Sequence, residues 1–266
     1  MFDRYNRDIN YLRISVTDRC NLRCQYCMPA TGVELMNHDE ILSFETIVEV
    51  VKEAIQKGIN KVRLTGGEPL VRKGIVDMVK MIAEIEGVED LTMTTNGTLL
   101  EKFAFRLKEA GLRRINISLD TLDPERYTNL TRGGSLANVL KGIRAAQAAG
   151  FDPIKINCVI MKSADEPDAV NVKQFAEHNG LKIRFIHQMD LSTGEFSLVE
   201  GGDGGDCKNC NRVRLTANGG FKPCLFNDQV YSITDFGISD ALEKAVLGKP
   251  RSGTRNLSGK FFNIGG

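Results

Sequence analysis

The sequence predicts an α/β protein on a parallel sheet. Short β-rich runs alternate with amphipathic helical stretches through the first 190 residues. The six strand–helix units recur roughly every 25–45 residues, the spacing of right-handed crossovers between parallel strands. Glycines fall just beyond the helical stretches, where C-terminal caps belong. Six units fit either an open doubly wound sheet or a partial barrel, and an eight-unit barrel needs more chain than 266 residues. In order, the strand candidates are residues 11–16, 61–65, 91–95, 114–119, 154–160 and 182–187. The first helix spans 44–57, after Ser43 as N-cap, with Ile47, Val51, Ala54 and Ile55 on one face. Helices at 74–85, 101–110, 138–149 and 170–178 follow, and Gly58, Gly87, Gly111, Gly150 and Gly180 close the units. Residues 191–206 are rich in Gly, Ser and acidic residues and read as a surface loop. The remainder, with one helix at 238–246, reads as an appendage, because about 60 residues bury little surface alone. The expected division is therefore 1–190 and 191–266.

Composition narrows the function classes. The chain is 42% hydrophobic with a formal net charge of +1, so no overall field points to nucleic acid or an anionic membrane. No apolar run approaches a membrane span, and the N-terminus lacks a signal-peptide core. A soluble cytoplasmic protein is expected. There, seven cysteines favour metal ligands over disulfides. Six fall into two triplets, leaving Cys158.

The first triplet is Cys20, Cys24 and Cys27, spaced C-x3-C-x2-C with Tyr26 before the last cysteine. A [4Fe–4S] cluster normally takes four thiolates, so three leave one iron open for chemistry. A zinc knuckle needs a fourth Cys or His close by, and none follows. Gly66-Gly67-Glu68-Pro69 comes at the end of the second strand, where paired glycines admit close backbone approach and Glu68 offers a carboxylate to an ammonium group. Thr94 and Ser118 lie at the ends of the next two strands, where ligand sites of such folds gather.

The second triplet is Cys207, Cys210 and Cys224. All three histidines lie upstream, so a zinc ribbon lacks its fourth ligand. Arg212 and Arg214 alternate on an extended strand beside it, a fork suited to phosphate. Arg13, Lys61, Arg63, Lys155 and Arg184 sit at strand positions that are normally apolar in a sheet covered on both faces. Buried charge needs a counter-charge, and this set suits a small polyanion such as a triphosphate. The chain ends in Gly265-Gly266, a side-chain-free tail able to thread into a narrow site.

Taken together, these motifs resemble the radical S-adenosylmethionine (radical SAM) superfamily and, within it, the GTP 3′,8-cyclase family of molybdenum cofactor biosynthesis. The resemblance implies a partial (β/α)6 TIM-type barrel with a small cluster-bearing extension. It implies a lyase with two [4Fe–4S] clusters, SAM, GTP and an external electron donor, and it admits a homodimer. By resemblance, Cys20, Cys24 and Cys27 hold the SAM cluster. Tyr26, Gly66, Gly67, Glu68, Ser118 and Met189 form the SAM pocket. Cys207, Cys210 and Cys224 hold the second cluster. Arg13, Lys61, Arg63, Thr94, Lys155, Arg184, Arg212, Arg214, Gly265 and Gly266 serve the nucleotide, with Arg212 and Arg214 counted as catalytic. The other substrate classes compatible with two clusters are a peptide or a different nucleotide. Family members carry several dozen more residues before the second triplet. Here Arg184 and Cys207 are only 23 positions apart, so a more open barrel side is expected.

Overall fold

Apolar and polar residues alternate along the strands, so each strand presents one face to helices and one to a lumen. In the computed structural model, which describes residues 1–189 and 196–255, these strands are β1 (Tyr11–Ser15), β2 (Lys61–Thr65), β3 (Asp90–Thr95), β4 (Arg114–Ser118), β5 (Ile154–Ile160) and β6 (Lys182–His187). Leu12, Ile14, Val62, Leu64, Met93, Ile115 and Ile117 are fully buried on the helix-covered face. The sheet order is β6-β5-β4-β3-β2-β1-β7-β8-β9. Because β1 to β6 are sequential, every crossover steps in one direction and the helices gather on one face. A doubly wound sheet would reverse direction midway; this one curls into a partial barrel.

The covering helices are α1 (Phe44–Gln56), α2 (Ile75–Ala83), α3 (Leu100–Glu109), α4 (Pro124–Thr131), α5 (Leu136–Ala148) and α6 (Pro167–His178). Ser43 caps α1 by accepting from the Thr46 N–H at 3.1 Å. The sequence reading missed α4, although Asp123 accepts from the N–H groups of Glu125 and Arg126 and Pro124 occupies the first turn, a recognisable start signal.

Downstream come β7 (Arg212–Leu215), β8 (Gly220–Lys222), β9 (Tyr231–Ser232), α7 (Ile233–Phe236) and α8 (Ile238–Leu247). Strand β7 runs parallel to β1, pairing Leu12 with Val213 and Arg13 with Arg214, while β8 and β9 add antiparallel strands. Val213, Leu215, Phe221, Leu242 and Val246 join the same core as β1 and α1. The C-terminal region thus extends the barrel sheet. Between β6 and β7, Glu200 forms an antiparallel bridge with Phe185, so the short connection returns along the outer edge of β6. Among the described residues no helix is long and apolar enough to cross a membrane.

Candidate active site

The first cysteine triplet lies on a loop over the C-terminal ends of β1 to β4, held from three sides. The end of β2 supplies Gly67 N–H to Thr17 O and Glu68 N–H to Arg19 O, each at 2.8 Å. Beyond β3, Asn96 donates to Asn21 and lies 3.9 Å from the Cys20 sulfur. The end of α4 completes the clasp, because Arg132 donates to the carbonyls of Arg23 and Met28. Here the structure refines the sequence reading of Gly-Gly-Glu-Pro. A Cβ at Gly67 would sit 2.2 Å from Arg19 O, so the glycine is needed to admit the neighbouring backbone. Glu68, 1% exposed, accepts from Leu70 N–H, Asn96 N–H and Thr95 Oγ1. Burial raises its carboxyl to about 6 against those three bonds. It locks the loop to β3, with its oxygens committed to protein donors.

Tyr26 donates to Asp120 Oδ2 at 2.7 Å, and Asp120 Oδ1 accepts from Val159 N–H. Sequence reasoning placed Asp120 among the polar residues at the end of β4 without a specific part. Burial pushes its carboxyl up to about 6. Ser118 ends β4 opposite Asn157. Burial also raises the Cys20 thiol to about 11 and the Cys24 thiol to about 12, so cluster assembly there must release protons.

Inside the barrel lies a cavity of about 320 Å³. Strand register puts Arg214, Arg13 and Arg63 in one row across β7, β1 and β2, and Arg212, Tyr11 and Lys61 in the row beside it. Thr94, Lys155 and Arg184 line the same space, as does Arg114, which sequence reasoning missed. Among the described residues, eight Lys or Arg face three Asp in the lining, and one of these, Asp90, is bound to Arg114. Asn116, with its amide oxygen toward Arg63, accepts from both terminal nitrogens at 3.0 and 3.2 Å. Arg63 also donates to Thr92 and lies over the Tyr11 ring. Burial, then Arg214 and Arg63, hold the Arg13 guanidinium well below its usual value. Burial and the neighbouring arginines bring Lys155 down to about 8. Tyr11 Oη, Thr94 Oγ1 and Arg212 Nε are buried with no hydrogen-bond partner among the described residues. Such concentrated positive charge, with polar atoms left over, calls for an anion.

Cys207, Cys210 and Cys224 line the wall of this cavity. Burial alone would raise the Cys210 thiol, but Lys249, the Arg212 backbone and the Arg212 guanidinium bring it below the usual value. Among the described residues, no His, Cys, Asp or Glu side chains are gathered as a single metal ion requires. A four-iron cube instead takes each thiolate at its own corner. Met189 packs with Phe196 against Leu225 and Phe226 on this wall. The expected open side is lined by Phe196, Ser197, Val199 and residues 202–206. Gly265 and Gly266 lie outside the described residues.

Residues 14–176 match the family described as the Radical SAM superfamily. A GTP 3′,8-cyclase of Petrotoga mobilis is 40% identical, aligned over 95% of this chain and 94% of its own length. The chain belongs to the GTP 3′,8-cyclase family of radical SAM enzymes. A second such relative, from Moorella thermoacetica, is 43% identical over 86% of this chain and 84% of its own. The Petrotoga alignment runs over 306 positions, more than the 266 residues present here, so that relative carries segments this member of the family lacks. Among solved structures, native anSMEcpe with bound AdoMet has a TM-score of 0.63 at 16% identity, covering 91% of this chain and 81% of that one. Methylornithine synthase has a TM-score of 0.56 at 19% identity, covering 69% of this chain, which spans 54% of the synthase. At these identities the likeness shows the partial-barrel fold alone. As a member of this family, the enzyme uses SAM and [4Fe–4S] chemistry.

Proposed function

We propose that the chain is a cytoplasmic GTP 3′,8-cyclase, converting GTP to 3′,8-cyclo-7,8-dihydro-GTP with electrons from an external donor. The observation that carries this reading is the cavity of eight cations with the second cysteine triplet in its wall. Cys20, Cys24 and Cys27 would hold the SAM cluster, and Cys207, Cys210 and Cys224 a second cluster facing the guanine. Both donor sets fit: three thiols each, all but the exposed Cys27 partly buried, and none in a disulfide. When bound, SAM and its cluster supply a 5′-deoxyadenosyl radical, which removes the ribose 3′ hydrogen so that C3′ can bond to guanine C8.

The protein's own residues position and neutralise. Arg13, Arg63 and Arg214, in register on adjacent strands, would hold the triphosphate between them. Asn116 and Thr92 fix Arg63 before substrate arrives, so less side-chain freedom is lost on binding. Lys155, Arg184 and Thr94 close the other side of the lumen. The 196–206 segment, tied to β6 through Phe185 and Glu200, would limit water entry from the barrel side. Tyr26 and Asp120 sit at the SAM end.

A peptide substrate is disfavoured by this wall of cations. The test is an anaerobic incubation with dithionite, SAM and GTP, followed by liquid chromatography, which separates the product from its isomer GTP, and mass spectrometry of each nucleotide peak. A cyclised nucleotide of unchanged mass formed alongside 5′-deoxyadenosine is expected. SAM cleavage with GTP recovered unaltered would overturn the assignment.

A further inference from the structure

Two buried cations outside the nucleotide-facing rows tie the second cysteine triplet to the rest of the chain. Lys249, just after α8, is 3% exposed. Its ammonium donates to Arg212 O at 2.6 Å and Pro223 O at 2.9 Å, and lies 3.5 Å from the Cys210 sulfur. These acceptors account for its three donors. They also bracket the site: Cys210, the strand that follows it, and the peptide that leads into Cys224. Arg7 holds the remaining ligand segment, donating to Cys207 O at 2.6 Å and to the carbonyls of Pro250 and Arg251.

The two cations differ in how their charge is met. Arg7 is paired with the buried carboxylate of Asp3 at 2.6 Å. Lys249 has two carbonyls and a sulfur, and among the described residues no carboxylate within ion-pair distance. A buried ammonium with neutral acceptors alone is costly. The side chain best placed to offset it is a Cys210 thiolate.

We propose that Lys249 is a positioning residue for an iron–sulfur cluster on Cys207, Cys210 and Cys224, and that its fixed charge favours the cluster's reduced form. The inference rests on the reading that this triplet holds a cluster. Reduction adds a negative charge to the site, and a cation against a ligating sulfur stabilises it in low-dielectric surroundings. As a residue outside the ligand set, Lys249 belongs to the shell that commonly tunes metal sites.

The test uses the full chain with Cys20, Cys24 and Cys27 changed to Ala, so that any cluster signal comes from the second triplet. After anaerobic reconstitution, iron is counted and the midpoint potential is read by spin resonance during a redox titration. Lys249→Met is expected to weaken reduction at least tenfold, a shift of about 59 mV to more negative potential for one electron, and Lys249→Arg to restore most of it. An unchanged midpoint in Lys249→Met overturns the proposal. Should Lys249→Met not load iron, Lys249→Gln takes its place in the comparison. Loading in Lys249→Arg but in neither neutral variant supports the role of the charge, whereas failure of all three reduces Lys249 to packing and overturns it. A parent chain that binds no iron overturns the cluster reading itself, and the inference with it.

Discussion

Lys155 is where pH reaches the cavity. Its amine is brought down to about 8 by burial, then by Arg184, Arg114 and Arg63. A bound polyanion reverses the repulsion and raises that value, so binding takes up a proton. The affinity for GTP should therefore hold below pH 8 and fall above it, by up to about tenfold per pH unit. Calorimetry at pH 7 and 9 in buffers of different ionisation enthalpy should register this proton uptake, and Lys155→Met should abolish it. Arg212→Ala and Arg214→Ala each remove a charge-assisted contact worth roughly 1.5–3 kcal/mol, or about 10- to 150-fold in affinity by the same calorimetry. Both arginines were legible in the sequence because alternation on a strand fixes their common side. Glu68 was legible as a residue but its protein partners were not, since two of the three, Thr95 and Asn96, lie 27 and 28 residues away.

At the scale of elements, the strands read easily and the loops between them did not. Residues 61–65, 154–160 and 182–187 coincide with β2, β5 and β6, and α1 begins where Ser43 marks it. Period and caps are local signals. The clasp around the first cysteine loop is not, because it joins the ends of β2, β3 and α4 across long stretches of chain. Gly67 shows what that clasp requires. A methyl group there has backbone atoms of Arg19 and Asp18 as its three nearest neighbours, so the contact cannot relax cheaply. Gly67→Ala should cost about 1–3 kcal/mol as an overpacked site. A lower melting temperature for the apo chain, with less iron taken up by Cys20, Cys24 and Cys27, would register it.

For the molecule as a whole, the two triplets sit on separate structural supports, and their losses should separate. Replacing Cys20, Cys24 and Cys27 with Ala should abolish 5′-deoxyadenosine formation. Replacing Cys207, Cys210 and Cys224 should leave uncoupled SAM cleavage measurable while the cyclised nucleotide disappears; liquid chromatography of both products distinguishes these outcomes. Equal loss in the two triple variants would mean that the C-terminal strands serve only to hold the barrel together. The placement of β7 against β1 has a further consequence for the chain as it is made. The row of Arg13 and Arg214 joins residues about two hundred positions apart, so it cannot form while β7 is still inside the ribosome. Until then β1 has β2 on one side and an open hydrogen-bonding edge on the other, the kind of edge that recruits foreign strands. The row of Arg13 and Arg214 is thus completed only when β7 arrives to cover that edge.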